Sequence, residues 1–200
     1  MKKKLSKSEK VLKMAQERGI LRIRDLTEKK IHPEYLRRLC AQGLLVRTGR
    51  GLYTLAGAIP TENYSLAQAA KLVPQGIVCL LSALTFHKIG TQNPHEVWLA
   101  IDRVAARPRV DYPPLRILKF SGKALSEGVE KSLIEGVKVQ IYNPAKTVAD
   151  CFKYRNKIGL DVANWKRRKL RQTGWEAVSA ARGEVFRLSA LLQPLLRKPE

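Results

Sequence analysis

The sequence predicts an α+β protein: an N-terminal winged helix-turn-helix followed by a mixed α/β C-terminal domain with a helical, basic C-terminal end. Three observations predict it. Residues 33–55, PEYLRRLCAQGLLVRTGRGLYTL, read as a short helix stopped at a glycine, then two apolar half-strands joined by a basic glycine turn. Beyond residue 57 the chain mixes helical runs with strand-like runs. Lys and Arg number 38 against 17 Asp and Glu, and the formal net charge of +21 points to a polyanionic partner, nucleic acid before anionic membrane.

Each element has its own signal. Ser6 or Ser8 can cap a first helix from about Glu9 to Arg18, with Val11, Leu12 and Ala15 as its apolar stripe and Gly19 as its stop. Ile20 to Ile23 is β-branched and long enough for one small strand. Asp25 to Lys30 reads as a second short helix with Leu26 inward. Pro33 suits the first turn of a third helix, because its missing N–H costs nothing there. That helix runs to Gln42, buries Tyr35 or Leu36 with Leu39 and Cys40, and meets a left-handed cap at Gly43. Leu44–Arg47 and Gly51–Leu55 are strand-like around the turn Thr48-Gly49-Arg50-Gly51. Residues 56–65 read as a linker or the start of a second domain, which places the boundary between a DNA-binding domain, 1–57, and a second domain, 58–200.

In the second part, Leu66–Leu72 and Leu80–Ile89 look helical, and Val97–Ile101 and Leu115–Phe120 look like strands. Between those strands lies a Pro- and Arg-rich loop, Arg103–Pro114. Val137, Val139 and Ile141 alternate with Lys138 and Gln140, the pattern of a half-buried strand. Asn143-Pro144 then opens a helix, Asn as N-cap and Pro at the first position, running to about Tyr154. From Asp161 the chain reads helical and basic.

Composition also excludes. Cys40, Cys79 and Cys151 are far apart, with no CxxC and no Cys/His cluster, so they read as reduced thiols of a cytoplasmic protein rather than a zinc site or a disulfide. No apolar segment follows the basic Met1-Lys2-Lys3-Lys4, so it does not read as a signal peptide. The longest apolar run, Gly76–Leu81, is far too short to span a bilayer. No membrane partner, metal or cofactor is expected.

For DNA contact, the third helix turns Glu34, Arg37, Arg38, Ala41 and Gln42 outward. Arginine reads guanine bidentately and glutamine can read adenine. Arg47, Thr48 and Arg50 belong to the wing, which reaches phosphates or the minor groove. Arg103, Arg107 and Arg109, with Lys166, Arg167, Arg168, Lys169 and Arg171, are candidates for a secondary nucleic-acid contact; for the last five, a solvated helix face is the second reading, and the charge of the whole chain favours the phosphate contact.

Catalytic signals are poor. Ser82, His87, His95 and Asp102 invite a hydrolase triad, but there is no G-x-S-x-G elbow and Ser82 sits in an apolar helix. Glu96, Asp102, Glu135 and Lys138 are the loose candidates for the alternative, a DNA-targeted nuclease or nucleotide-processing enzyme. Lys146 and Asp150 stand four apart in an otherwise apolar helix, followed by Arg155. A structural ion pair linking helix to sheet is the main reading, and a ligand or partner site the second.

Four segments together resemble the AbiEi family, antitoxin-type transcriptional regulators of type IV toxin–antitoxin systems. They are GLLVRTGRGLYTL at 43–55, GIVCLLSALTFHKIG at 76–90, PHEVWLAI at 94–101 and YNPAKTVADCFKYRNKIGLDVA at 142–163. The resemblance covers roughly residues 8–165. It implies a winged helix that binds operator double-stranded DNA and represses its own operon. It further implies a C-terminal domain that counters a nucleotidyltransferase-like toxin, in many members without a stable complex. It places DNA contact at Arg37, Arg38, Arg47 and Arg50, and matches Lys146, Asp150 and Arg155 to a family pattern, Lys-Thr-x-x-Asp with a following Arg, to which no role is assigned. The implied protein is not an enzyme.

Overall fold

The computed structural model describes residues 5–89 and 93–158. Helix α1 (Lys7–Arg18) begins at a capping box: the Glu9 N–H donates to the Ser6 hydroxyl at 3.2 Å, and the Ser6 N–H donates to the Glu9 carboxylate at 2.7 Å. The cap moves the helix start from the expected Glu9 back to Lys7. Strand β1 (Leu21–Arg22) is cut to two residues because Ile23 already opens helix α2 (Ile23–Thr27). The second helix therefore lies earlier than the expected Asp25–Lys30, with Leu26 buried as expected.

Helix α3 (Glu34–Ala41) buries Leu36 and Leu39. It ends in a Schellman motif: the Leu44 N–H donates to the Leu39 carbonyl at 2.9 Å and the Gly43 N–H to the Cys40 carbonyl at 3.0 Å, with Gly43 at φ +69°. Strands β2 (Leu45–Gly49) and β3 (Leu52–Leu55) form an antiparallel hairpin, and β1 pairs with the other edge of β3. Arg47 stands opposite Tyr53 and Gly49 opposite Leu52, which leaves Thr48 as an extra residue in a bulge that bends the hairpin tip. Val11, Met14, Ala15, Leu21, Leu26, Ile31, Leu36, Leu39 and Leu45 pack into the core of this N-terminal part.

The second part follows with α4 (Tyr64–Leu72), β4 (Ile77–Val78), α5 (Leu80–Phe86), β5 (Val97–Asp102), β6 (Leu115–Phe120), α6 (Lys123–Ser126), β7 (Val129–Ile134), β8 (Val137–Tyr142), α7 (Pro144–Lys153) and α8 (Arg155–Ile158). Its sheet has the order β6-β5-β4-β8-β7. The β5–β6 and β4–β8 pairs are parallel, and the β4–β5 and β7–β8 pairs antiparallel. The protein is thus mixed α and β. The helical end expected from Asp161 lies outside the described residues.

Both faces of this sheet are covered, and side chains alternate between them. Val97, Leu99 and Ile101 of β5 join Val78, Val139 and Ile141 under α4, while Trp98 and Ala100 join Ile77, Tyr142, Leu84 of α5 and Val148 and Cys151 of α7. Burial from both sides explains the unbroken apolar run of β5.

The α4 face is also where the two parts meet. Ile20 and Leu52, both before the expected boundary at residue 57, lie in the same core as Leu66, Ile134 and Val137. Gly19 lies flat on the β7–β8 turn, Glu135-Gly136; a Cβ at Gly19 would sink into the Glu135 carbonyl. Asp25 of α2 is buried against Lys71 of α4, carboxylate to ammonium 3.0 Å, with the Arg18 guanidinium at 3.8 Å. The Arg22 guanidinium also donates to the Lys71 carbonyl.

Candidate nucleic-acid interface

With Leu36 and Leu39 held inward, α3 presents Arg37, Arg38, Ala41 and Gln42 to solvent. Both arginines lie near one carboxylate, and Arg37 donates to it, Nε to Oε1 3.1 Å. Oε1 of Glu34 lies 3.0 Å from Nη2 of Arg37 and 3.9 Å from Nε of Arg38. The Arg38 guanidinium also lies over the Tyr35 ring, 5.9 Å from its centroid. Glu34 thus pairs with Arg37 and lies near Arg38 on the helix surface.

The hairpin adds two more cations. Arg47 is exposed, and its Nε donates to the Gly49 carbonyl at 3.2 Å, which folds the side chain along the bulge. Arg50 occupies the tip, with 88% of its side chain exposed, 3.9 Å from Asp111 of the β5–β6 loop. Thr48 departs from the sequence expectation. Its hydroxyl is buried without a hydrogen-bond partner, facing a cavity it shares with Tyr64 and Glu135. Its carbonyl accepts from Gln68 of α4 at 3.4 Å. The bulge turns Thr48 toward the second part, away from the surface that carries Arg47 and Arg50.

Residues 9–56, which contain this helix, hairpin and all four arginines, match the family described as transcriptional regulator, AbiEi antitoxin. The resemblance seen in the sequence thus holds for the N-terminal region. No curated protein matches the chain. The AbiEi family is one of regulatory antitoxins, and its regulator role implies contact with DNA. Among the described residues no helix is long and apolar enough to cross a membrane.

The helix and hairpin of the AbiEi-matching region are the surface the sequence singled out; the other expected groups lie elsewhere in the chain. Arg103, Arg107 and Arg109 are exposed on the β5–β6 loop. Lys166, Arg167, Arg168, Lys169 and Arg171 lie outside the described residues. The loose acidic set does not converge. Glu96 faces Arg116 at 3.9 Å, Asp102 accepts from the Val104 N–H at 2.9 Å, and Glu135 accepts from the Thr61 N–H at 2.9 Å. Among the described residues, no three His, Cys, Asp or Glu side chains form a group that could hold a metal ion.

Ser82 is buried, and its Oγ accepts from the Trp98 N–H at 2.9 Å, fastening α5 to β5. His87 Nε2 lies 2.8 Å from the Tyr142 carbonyl. Neither faces Asp102 in a triad.

Lys146 and Asp150 pair within α7, Nζ to Oδ2 2.9 Å. The same ammonium lies over the rings of Tyr142, at 4.6 Å, and Phe120, at 5.5 Å, so the pair ties the helix to the sheet. Burial raises the Asp150 carboxyl above its ordinary range, partly offset by the hydrogen bond and charge of Lys146. Burial likewise pushes the Tyr142 phenol up, and its hydroxyl donates to the Leu125 carbonyl at 2.8 Å. The Arg155 guanidinium donates to the Phe152 carbonyl at 3.2 Å. Sequence reasoning missed Asp111 and Gln68, which reach the hairpin from the second part. Neither belongs to a local motif.

Proposed function

We propose that this protein is a DNA-binding transcriptional regulator that acts as the antitoxin of a type IV toxin–antitoxin system. In this reading residues 1–57 are a winged helix-turn-helix, with α3 as recognition helix in the major groove and the β2–β3 hairpin as wing. They address the protein to the operator of its own operon and repress it. Residues 58–200 form a second domain that counters a nucleotidyltransferase-like toxin, with no stable complex required.

One observation carries the reading. Arg37 and Arg38 on the exposed face of a short helix and Gln42 at its C-cap are followed at once by a hairpin bearing Arg47 and Arg50, all within the AbiEi-matching region. Arg37 and Arg38 meet base edges once Glu34 releases them, Gln42 reads beside them, and Arg47 and Arg50 meet the sugar-phosphate wall.

The test is a gel shift with the protein's own promoter and a random duplex of equal length. The promoter is expected to bind more tightly, and Arg37→Ala with Arg38→Ala to weaken it more than about tenfold, from about 1–3 kcal/mol for a good base contact. Equal binding of promoter and random duplex sinks the specific-regulator reading. For the antitoxin role, co-expression with the neighbouring reading frame is expected to relieve that frame's toxicity, and persistent toxicity would remove it.

A further inference from the structure

We propose that the β5–β6 loop, residues 103–114, is a second DNA-contacting element set beside the hairpin tip, so that loop and hairpin form one continuous phosphate-binding surface. This rests on the DNA-binding reading above and adds an element from outside the AbiEi-matching region.

Three observations place it. The loop lies against the hairpin, because Asp111 reaches Arg50 at 3.9 Å. It is anchored on the shared core: Ala105 and Val110 pack against the cluster that contains Leu52 of β3, and Pro113 is buried. Its N-terminal end is tied down, since the Val104 N–H donates to Asp102 at 2.9 Å and the Lys119 ammonium donates to the Ala105 carbonyl. An anchored loop loses less entropy when it meets a ligand than a free one does.

On this frame Arg103, Arg107 and Arg109 are all exposed. Among the described residues none of the three forms an ion pair. Arg107 also borders an open cleft of about 670 Å³ together with Arg116 and Lys157, so positive charge continues past the loop. Arg116 is partly neutralised by Glu96. Unpaired guanidinium groups on a fixed loop beside Arg50 suit a polyanion whose charges recur along a line. A DNA backbone running past the wing has that form. The contact is to phosphate, so it adds affinity for any duplex and leaves sequence preference to α3.

The experiment uses the full chain with Arg103→Ala, Arg107→Ala and Arg109→Ala combined, and measures affinity for promoter and random duplex across a salt series. Each phosphate contact adds about 0.9 to the slope of log affinity against log salt. The variant is expected to show a slope shallower by about 2–3, with the promoter-to-random ratio unchanged. Hydroxyl-radical protection should disappear on the flank next to the wing and persist at the α3 site. The matching triple lysine variant restores the slope, which separates charge from folding.

An unchanged slope and footprint would overturn the proposal while leaving the α3 reading intact. A collapse of the promoter-to-random ratio in the alanine variant would also overturn it, because the loop would then be reading bases. A wild-type protein without promoter preference, but with the slope change, would sink the specific-regulator reading and still support the loop.

Discussion

Replacing Lys71 by methionine removes an ammonium from the junction between α2 and α4 while keeping the length of its apolar stem. Lys71 and Asp25 are nearly buried, with 15% and 10% of their side chains exposed, at 3.0 Å. Breaking a fully buried pair from one side costs about 3–5 kcal/mol, because it strands a charge. Here Asp25 keeps the Arg22 N–H at 2.8 Å and the Arg18 guanidinium at 3.8 Å. The loss is therefore nearer to one charged hydrogen bond, about 1.5–3 kcal/mol. In a chain of this size each kcal/mol moves the midpoint by about 2–4 °C, so Tm should fall by about 3–12 °C. Differential scanning calorimetry on wild type, Lys71→Met, Asp25→Asn and the double variant closes a cycle. A coupling of at least about 1 kcal/mol is expected for residues in contact. Additivity to within about 0.5 kcal/mol would refute the claim that this pair fastens the two parts.

Gly19→Ala should destabilise the protein by more than about 2 kcal/mol, since the new methyl meets the Glu135 carbonyl and φ is +64°; an unchanged urea midpoint would count against the close approach. Glu34→Gln should tighten promoter binding several-fold, because Glu34 engages both Arg37 and Arg38 and its charge faces the phosphates; weaker binding in a gel shift would contradict this. Asp150 has a native pKa raised by burial above its ordinary 3.8, so its contribution to stability is fully present below 3.8 and is lost as pH rises through the native value. Asp150→Asn should abolish that pH dependence, read as the difference in unfolding free energy between variant and wild type; a difference flat from about pH 3 to 8 would rule the linkage out.

The elements most legible in the sequence were those whose signals are local. Asn143-Pro144 marked the start of α7, and the alternation of Val137, Val139 and Ile141 marked β8 with its observed bounds. Leu115–Phe120 likewise matched β6. Strand β4 was hidden because Ile77 and Val78 are buried on opposite faces and show no period inside the apolar run around them. Strand β7 was missed because it leaves Leu133 exposed while Ile134 points inward, which blurs its alternation. At the candidate interface, the outward face of α3 followed from helical spacing alone. The inward turn of Thr48 did not, since it depends on a bulge set by the pairing of Arg47 with Tyr53 and Gly49 with Leu52. Nor did the closeness of Asp111 to Arg50, which is fixed by how the β5–β6 loop lies across a core shared with β3.

That shared core bears on how the protein can be taken apart. Ile20 and Leu52 are wholly buried in a core they share with residues of α4, β7 and β8. A fragment ending near residue 57 would lose the second part's cover from those side chains and would leave the buried Asp25 without Lys71. Poor solubility of such a fragment would report an uncovered seam rather than a failure to recognise DNA, and a chimera that transplants the helix and hairpin onto another body must bring a matching ledge for Gly19.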